Sequence, residues 1–205
     1  MFRRTVWLGQ FRTMGSYIAV SLVLFLAGIV AGTSTPGLDA YMNSQIEGIR
    51  EIAKAVNDTS NPTLMMFLVI FFNNAIKAAL VIYLGFIFGL FPVFFMVLNG
   101  LIIGYLIHNY AVTYGGAEAF EIVVRGILPH GIIEIPVLII AAAYGLKSGS
   151  YAFRFIGQIF AKDEKLSHEA GQYVRATVPI VIGVAVLLLA ASLIESIITP
   201  IVIGK

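Results

Sequence analysis

Residues 59–117 read TSNPTLMMFLVIFFNNAIKAALVIYLGFIFGLFPVFFMVLNGLIIGYLIHNYAVTYGGA, and Lys77 is the one charged side chain among them. A single straight helix of this length would run ~88 Å, close to three times the ~30 Å hydrocarbon core of a bilayer. The segment therefore folds back on itself. Gly85, Gly89 and Pro92 are the residues able to break it. The reading is a transmembrane hairpin, with one span over 63–86 and the next over 92–108.

The rest of the chain has the same character. Apolar residues make up 59% of the 205 and charged ones 12%, about half the share of a soluble domain. The net charge of +2 comes from few, scattered basic residues, which gives no nucleic-acid surface. With no cysteine, disulfides, thiol chemistry and thiolate metal sites are excluded. Arg3, Arg4 and Arg12 precede an apolar run over 17–31, and we read that run as an uncleaved first span. The following segment, Asp39–Asn57, changes period. Met42, Ile46, Ile49, Ala53 and Val56 recur at three and four, with Glu47, Arg50, Glu51 and Lys54 between them. That is an amphipathic helix lying on the membrane or on the bundle.

Beyond the hairpin, 110–116 reads as a loop, and 118–128 has helical spacing interrupted by Pro129. A fourth span over 130–146 is short, so a broken or partly re-entrant element around Pro129 is expected. Residues 151–161 mix Phe153, Phe155, Ile156, Ile159 and Phe160 with Arg154, as an interfacial helix does. A polar stretch over 163–175 precedes a fifth span over 176–198. The expected fold is an all-α polytopic membrane bundle of five spans, an amphipathic outer helix and an interfacial inner helix. It forms a single domain over 1–205.

Lys and Arg positions give the orientation. With the N-terminus cytoplasmic, the inner segments hold Arg3, Arg4, Arg12, Lys147, Arg154, Lys162, Lys165 and Arg175, and the outer ones hold Arg50, Lys54, Arg125 and Lys205. The expected localisation is a multi-pass cell-membrane protein with its C-terminus outside.

Four Gly-x-x-x-Gly pairs occur: Gly28/Gly32, Gly85/Gly89, Gly100/Gly104 and Gly145/Gly149. Such pairs let helices approach closely in lipid. Their first use is packing within the chain, with a homodimer face as the alternative. At this glycine frequency about two such pairs arise by chance, so the pattern by itself decides little.

Polar residues inside spans carry more information, because lipid gives them no partner. Counted from the hairpin turn, Lys77 and Asn99 lie at similar depth, and Asn73 and Asn74 about one turn further out. In Pro129-His130-Gly131-Ile132-Ile133-Glu134-Ile135-Pro136, His130 and Glu134 are four apart on one helical face. A His/Glu pair so spaced serves as a polar lock between helices, handles protons or ions, or contributes to a divalent-metal site. A metal site needs about three ligands, and His108 and His168 sit far off in sequence. We therefore take Asn73, Asn74, Lys77, Asn99, His130 and Glu134 as a buried polar cluster and assign no catalytic residue, metal or cofactor. Glu195, near the outer end of the fifth span, reads as a snorkelling or capping group.

The pair Asn73-Asn74, then Asn99-Gly100-Leu101 with Gly104, then Leu128-Pro129-His130-Gly131-Ile132-Ile133-Glu134-Ile135-Pro136 together resemble the stage II sporulation protein M family, over nearly the whole chain. The resemblance implies a membrane scaffold. In spore formers the family member anchors a complex with two septal peptidoglycan-degrading partners during engulfment, and relatives occur in archaea and in bacteria that do not sporulate. The function expected is a non-enzymatic anchor in contact with membrane lipid and with other envelope or membrane proteins. The alternatives are a transporter or channel with a polar intramembrane pathway, and an intramembrane metal-dependent hydrolase built on His130 and Glu134.

Overall fold

The computed structural model describes residues 4–35, 37–157 and 164–198, and these are helical almost throughout. In order they form α1 (Arg4–Ser34), α2 (Asp39–Asn57), α3 (Pro62–Leu84), α4 (Leu90–Tyr114), α5 (Gly116–Ile122), α6 (Leu128–Gly157) and α7 (Glu164–Leu193). A π turn, Val123–Ile127, joins α5 to α6, and another, Ile194–Ile198, follows α7. Five helical stretches among the described residues are long and apolar enough to cross a membrane: Met14–Ser34, Pro62–Leu84, Leu90–Tyr114, Gly131–Gly157 and His168–Ile197. The protein is a multi-pass all-α bundle.

Local chemistry sets the ends of the hairpin. Asn61 accepts from the Leu64 amide at 3.1 Å, and Pro62 fills the first helical position, where no N–H is needed. At the other end the chain turns through Phe88 (φ 52°) and Gly89 (φ 72°). Phe88 is the non-glycine residue in this left-handed region, a conformation that costs roughly 1–2 kcal/mol. Its ring packs 5.0 Å from that of Phe153.

Four boundaries differ from the sequence reading. The loop expected over 110–116 is largely helix, since α4 continues to Tyr114 and reverses only at Gly115, whose φ of 108° suits glycine alone. Polarity misled there, because Thr113 bonds Asn109 one turn back at 3.4 Å and the helix absorbs both. The break expected at Pro129 is a π turn running straight into α6, which continues unbroken through Pro136. The separate interfacial helix is the last part of α6 up to Gly157, while 158–161 lie outside the described residues. Likewise the polar stretch before the fifth span forms the first turns of α7.

The bundle is assembled around two reciprocal glycine contacts. Gly28 and Gly32 of α1 lie against the α4 backbone at Val97, Gly100, Leu101 and Tyr105. Gly100 and Gly104 lie in turn against α1 at Phe25, Gly28 and Ile29. At the α3–α4 turn, Gly85 meets Gly145, and Gly149 meets Gly89. At each of these contacts an added Cβ would sit inside backbone atoms of the facing element, except at Gly89, whose neighbours leave ordinary room. All four Gly-x-x-x-Gly pairs are thus engaged inside one chain.

Helix α6 is the hub. Residues 141–145 are buried in unbroken succession, so this part of the helix is enclosed on every side. One core joins it to α1, α3 and α7 through Met14, Ile82, Leu138, Tyr144, Ile180 and Leu188. A second joins it to α1, α3 and α4 through Phe25, Val81, Met96, Ile139 and Ala142. Helices α3 and α4, although consecutive, touch little, because α6 packs against both.

This packing sets an expected outcome for glycine substitution. Gly100→Ala and Gly145→Ala each lower stability by roughly 1–3 kcal/mol through forced helix separation. Gly15→Ala, with nothing within 4 Å of the new methyl, is neutral or stabilising by up to ~1 kcal/mol. Thermal unfolding in detergent, followed by circular dichroism, distinguishes them. Equal melting of all three would exclude the close crossings.

Candidate functional site

Polar side chains gather in two places, one towards each end of the bundle. The first contains most of the residues singled out in the sequence. Glu134, three residues into its span on α6, is half-buried and within electrostatic reach of Lys77 on α3. Glu195, on the π turn after α7, is in turn within reach of Glu134. That turn packs against both α3 and α6, which brings the two carboxylates and the ammonium from three elements towards one region. Lys77 offsets part of the repulsion between like charges.

The remaining residues of the expected cluster are distributed differently. Asn73 is exposed on α3 and donates its amide to Asn74 Oδ1 at 3.3 Å, and Asn74 is half-buried. Asn99 donates to the Phe95 carbonyl of its own helix at 2.7 Å. Among the described residues, neither Asn73 nor Asn74 bonds Glu134. The backbone of His130 is helical, and its side chain lies outside the described set. No three His, Asp or Glu side chains converge on one point among the described residues. The sequence reading set Lys77 level with Asn99 and grouped both with Glu134 only as members of one cluster, whereas the structure brings Lys77 within electrostatic reach of Glu134. Glu195, expected to snorkel or cap, lies within electrostatic reach of Glu134.

The second gathering was not expected from the sequence. Where α6 passes α3 and α7, Ser148 is fully buried and its hydroxyl faces the carbonyls of Tyr144 (3.0 Å) and Ile82 (3.3 Å) and the hydroxyl of Tyr173 (3.4 Å). Tyr173 donates to the same Tyr144 carbonyl. Tyr17 of α1 donates to Ser150 Oγ at 3.0 Å, and Ser150 to the Lys147 carbonyl at 2.7 Å. The rings of Tyr144 and Tyr151 lie 6.2 and 5.1 Å from that of Tyr173. Lys147 Nζ stands 5.3 Å from the Tyr173 ring centroid, and Arg154 lies 5.6 Å from the Tyr151 ring while pairing with Glu169 at 3.5 Å. Four helices, α1, α3, α6 and α7, are thus pinned by hydroxyls that find partners within the protein. The available signal was positional: Tyr17, Ser148 and Tyr173 fall in the same half of their spans.

A third polar contact fixes α2. Tyr105 of α4 donates to Asp39 Oδ1 at 3.0 Å, and Met42 and Val56 are buried beneath the helix. Glu47, Arg50, Glu51 and Lys54 remain exposed on its other side.

Residues 21–200 match the family described as stage II sporulation protein M, and this chain belongs to that family. It is also similar to an uncharacterized protein of Methanocaldococcus jannaschii, with 31% identity over 116 residues. That match covers 57% of this chain and 49% of the archaeal protein, so it spans about half the length of this curated relative. No solved structure matches.

The tyrosine contacts yield an expected outcome. Tyr173→Phe removes the donor to Tyr144 and a partner of Ser148, lowering stability by roughly 0.5–1.5 kcal/mol. Tyr151→Phe, whose ring contacts survive the change, is close to neutral. Parallel thermal melts of the two variants provide the measurement. Indistinguishable melting would remove the hydroxyl network from the account of stability.

Proposed function

We propose that this protein is a membrane anchor that positions partner proteins at the cell envelope and performs no chemistry of its own. One observation carries the reading. Helix α2 is seated on the end of the bundle by Met42, Val56 and the Tyr105–Asp39 bond, while its charged residues point away. A helix fixed at its start and charged along its free side is a rigid surface for recognition, because little conformational entropy is lost when a partner docks. Membership of the stage II sporulation protein M family supports the same reading. The second reading is a polar route through the membrane, favoured by the approach of Lys77, Glu134 and Glu195 from three elements. Charged groups within spans commonly mark ion or proton paths.

In the anchor reading α2 faces the outside, the side opposite Lys147, Arg154 and Arg175, following the excess of basic residues on cytoplasmic segments. The chain lacks cysteine, so single cysteines at Ser44 and His168 report sidedness directly. With an impermeant thiol reagent on intact cells, Ser44→Cys is labelled and His168→Cys only after lysis. The reverse pattern would invert the topology.

Charge reversal on α2 tests the anchor itself. The double variant Glu47→Lys/Glu51→Lys loses most of the envelope proteins that co-purify with the unaltered chain. Its melting temperature stays unchanged, since both side chains are exposed. Unaltered co-purification would exclude α2 as the docking surface.

A further inference from the structure

Asn73 occupies the middle of α3, eleven residues from Pro62 and eleven from Leu84. Its side chain is exposed on the outer surface of the bundle. One amide N–H goes to Asn74, and the Asn73 carbonyl oxygen and second N–H have no partner among the described residues. At mid-membrane no water satisfies them, and hydrocarbon leaves them at a cost of several kcal/mol. Elsewhere the outward faces of the spans are apolar at this depth: Val23 and Leu26 on α1, Ile182 and Val186 on α7.

The neighbours of Asn73 on this surface are regularly spaced. Val69, Asn73, Ile76, Leu80 and Tyr83 follow one another at intervals of four, three, four and three. Ile76 is 56% exposed, and Leu80 and Tyr83 are each 43% exposed. That spacing is the one a left-handed helix pair uses for its seam, and one asparagine at an otherwise apolar seam position is the device that fixes register and copy number in such pairs. The close-approach glycines are already spent within the chain, so a partner here must pack side chain into side chain.

We propose that two copies of this protein associate through the outward face of α3, with the two Asn73 amides hydrogen-bonded to each other across a two-fold axis along the membrane normal. An amide carries both donor and acceptor, so it is complementary to itself. Copies inserted in one orientation place both Asn73 residues at the same depth, as an isologous contact requires. Lys77, one turn further on, lies at the flank of the seam and has Glu134 within electrostatic reach, which limits repulsion between the two ammonium groups. The inference stands whether or not the anchor reading does.

The full chain in its native membrane serves for the test. Single cysteines at Ile76 or Leu80 form disulfide dimers under copper-phenanthroline oxidation, whereas cysteines at Val23 or Val186 on other outward faces do not. Adding Asn73→Leu to the Ile76→Cys chain lowers the dimer yield by about threefold to tenfold. Single-molecule photobleaching of the otherwise unaltered chain with a fluorescent tag shows two steps, and this readout does not depend on how any variant folds. Single-step bleaching would overturn the proposal. So would Ile76→Cys cross-linking no better than Val23→Cys, a cross-linked product containing a different protein, or a yield unmoved by Asn73→Leu.

Discussion

The close approach of helix backbones at glycine is the constraint on which this molecule rests. Lipid tails are as apolar as leucine, so burying a hydrophobic face against another helix gains little within the bilayer. Association relies on dispersion, and dispersion needs contact. Gly28, Gly32, Gly100 and Gly104 provide it between α1 and α4, and Gly85, Gly145 and Gly149 do so where α6 passes the hairpin turn. Between these two points the order of helices is settled. Helix α1 is held to α4, α6 is wedged between α3 and α4, and α7 closes against α3 and α6.

Hydrogen bonds then act where glycine has already brought the helices together. Ser148 lies one residue from Gly149, and the Ile82 carbonyl it faces lies three residues before Gly85. A hydroxyl could not bridge two backbones at ordinary interhelical distance, so the Ser148–Tyr144–Tyr173 contacts depend on that crossing. The charged groups follow a different rule. Lys77 and Glu195 each lie within electrostatic reach of Glu134 without a hydrogen bond to it; the Lys77–Glu134 attraction tolerates looser geometry, and Glu195 repels Glu134.

Much of this was legible in the sequence because it depends on composition and period. The hairpin turn at Gly85 and Gly89, the amphipathic segment Asp39–Asn57 and the number of spans follow from charge spacing and helical repeat, which tertiary contacts leave intact. Boundaries were less legible where polarity was used as a substitute for conformation. Thr113, Asn109 and the residues at the start of α7 are polar and helical, and a span does not end where its lipid contact ends. The tyrosine–serine contacts were hidden for another reason. Tyr17, Ser148 and Tyr173 are separated by more than a hundred residues in one case and twenty-five in the other, and no local pattern announces which helices will be neighbours. Glycine pairs were visible but ambiguous, since the same spacing serves packing within a chain and between chains.

The same logic separates the parts of the surface that belong to the fold from those left for other molecules. In the interior, Tyr144, Ser148 and Tyr173 find partners within the chain, while Ser21, fully buried on α1, is the hydroxyl left without one among the described residues. Polar groups with open bonding capacity also lie at the periphery: the charged side of α2 at one end and Asn73 on the outward face of α3. Among the described residues the densest polar contacts, those of Ser148, Tyr144 and Tyr173, serve helix packing, while Asn73 and the charged side of α2 face outward.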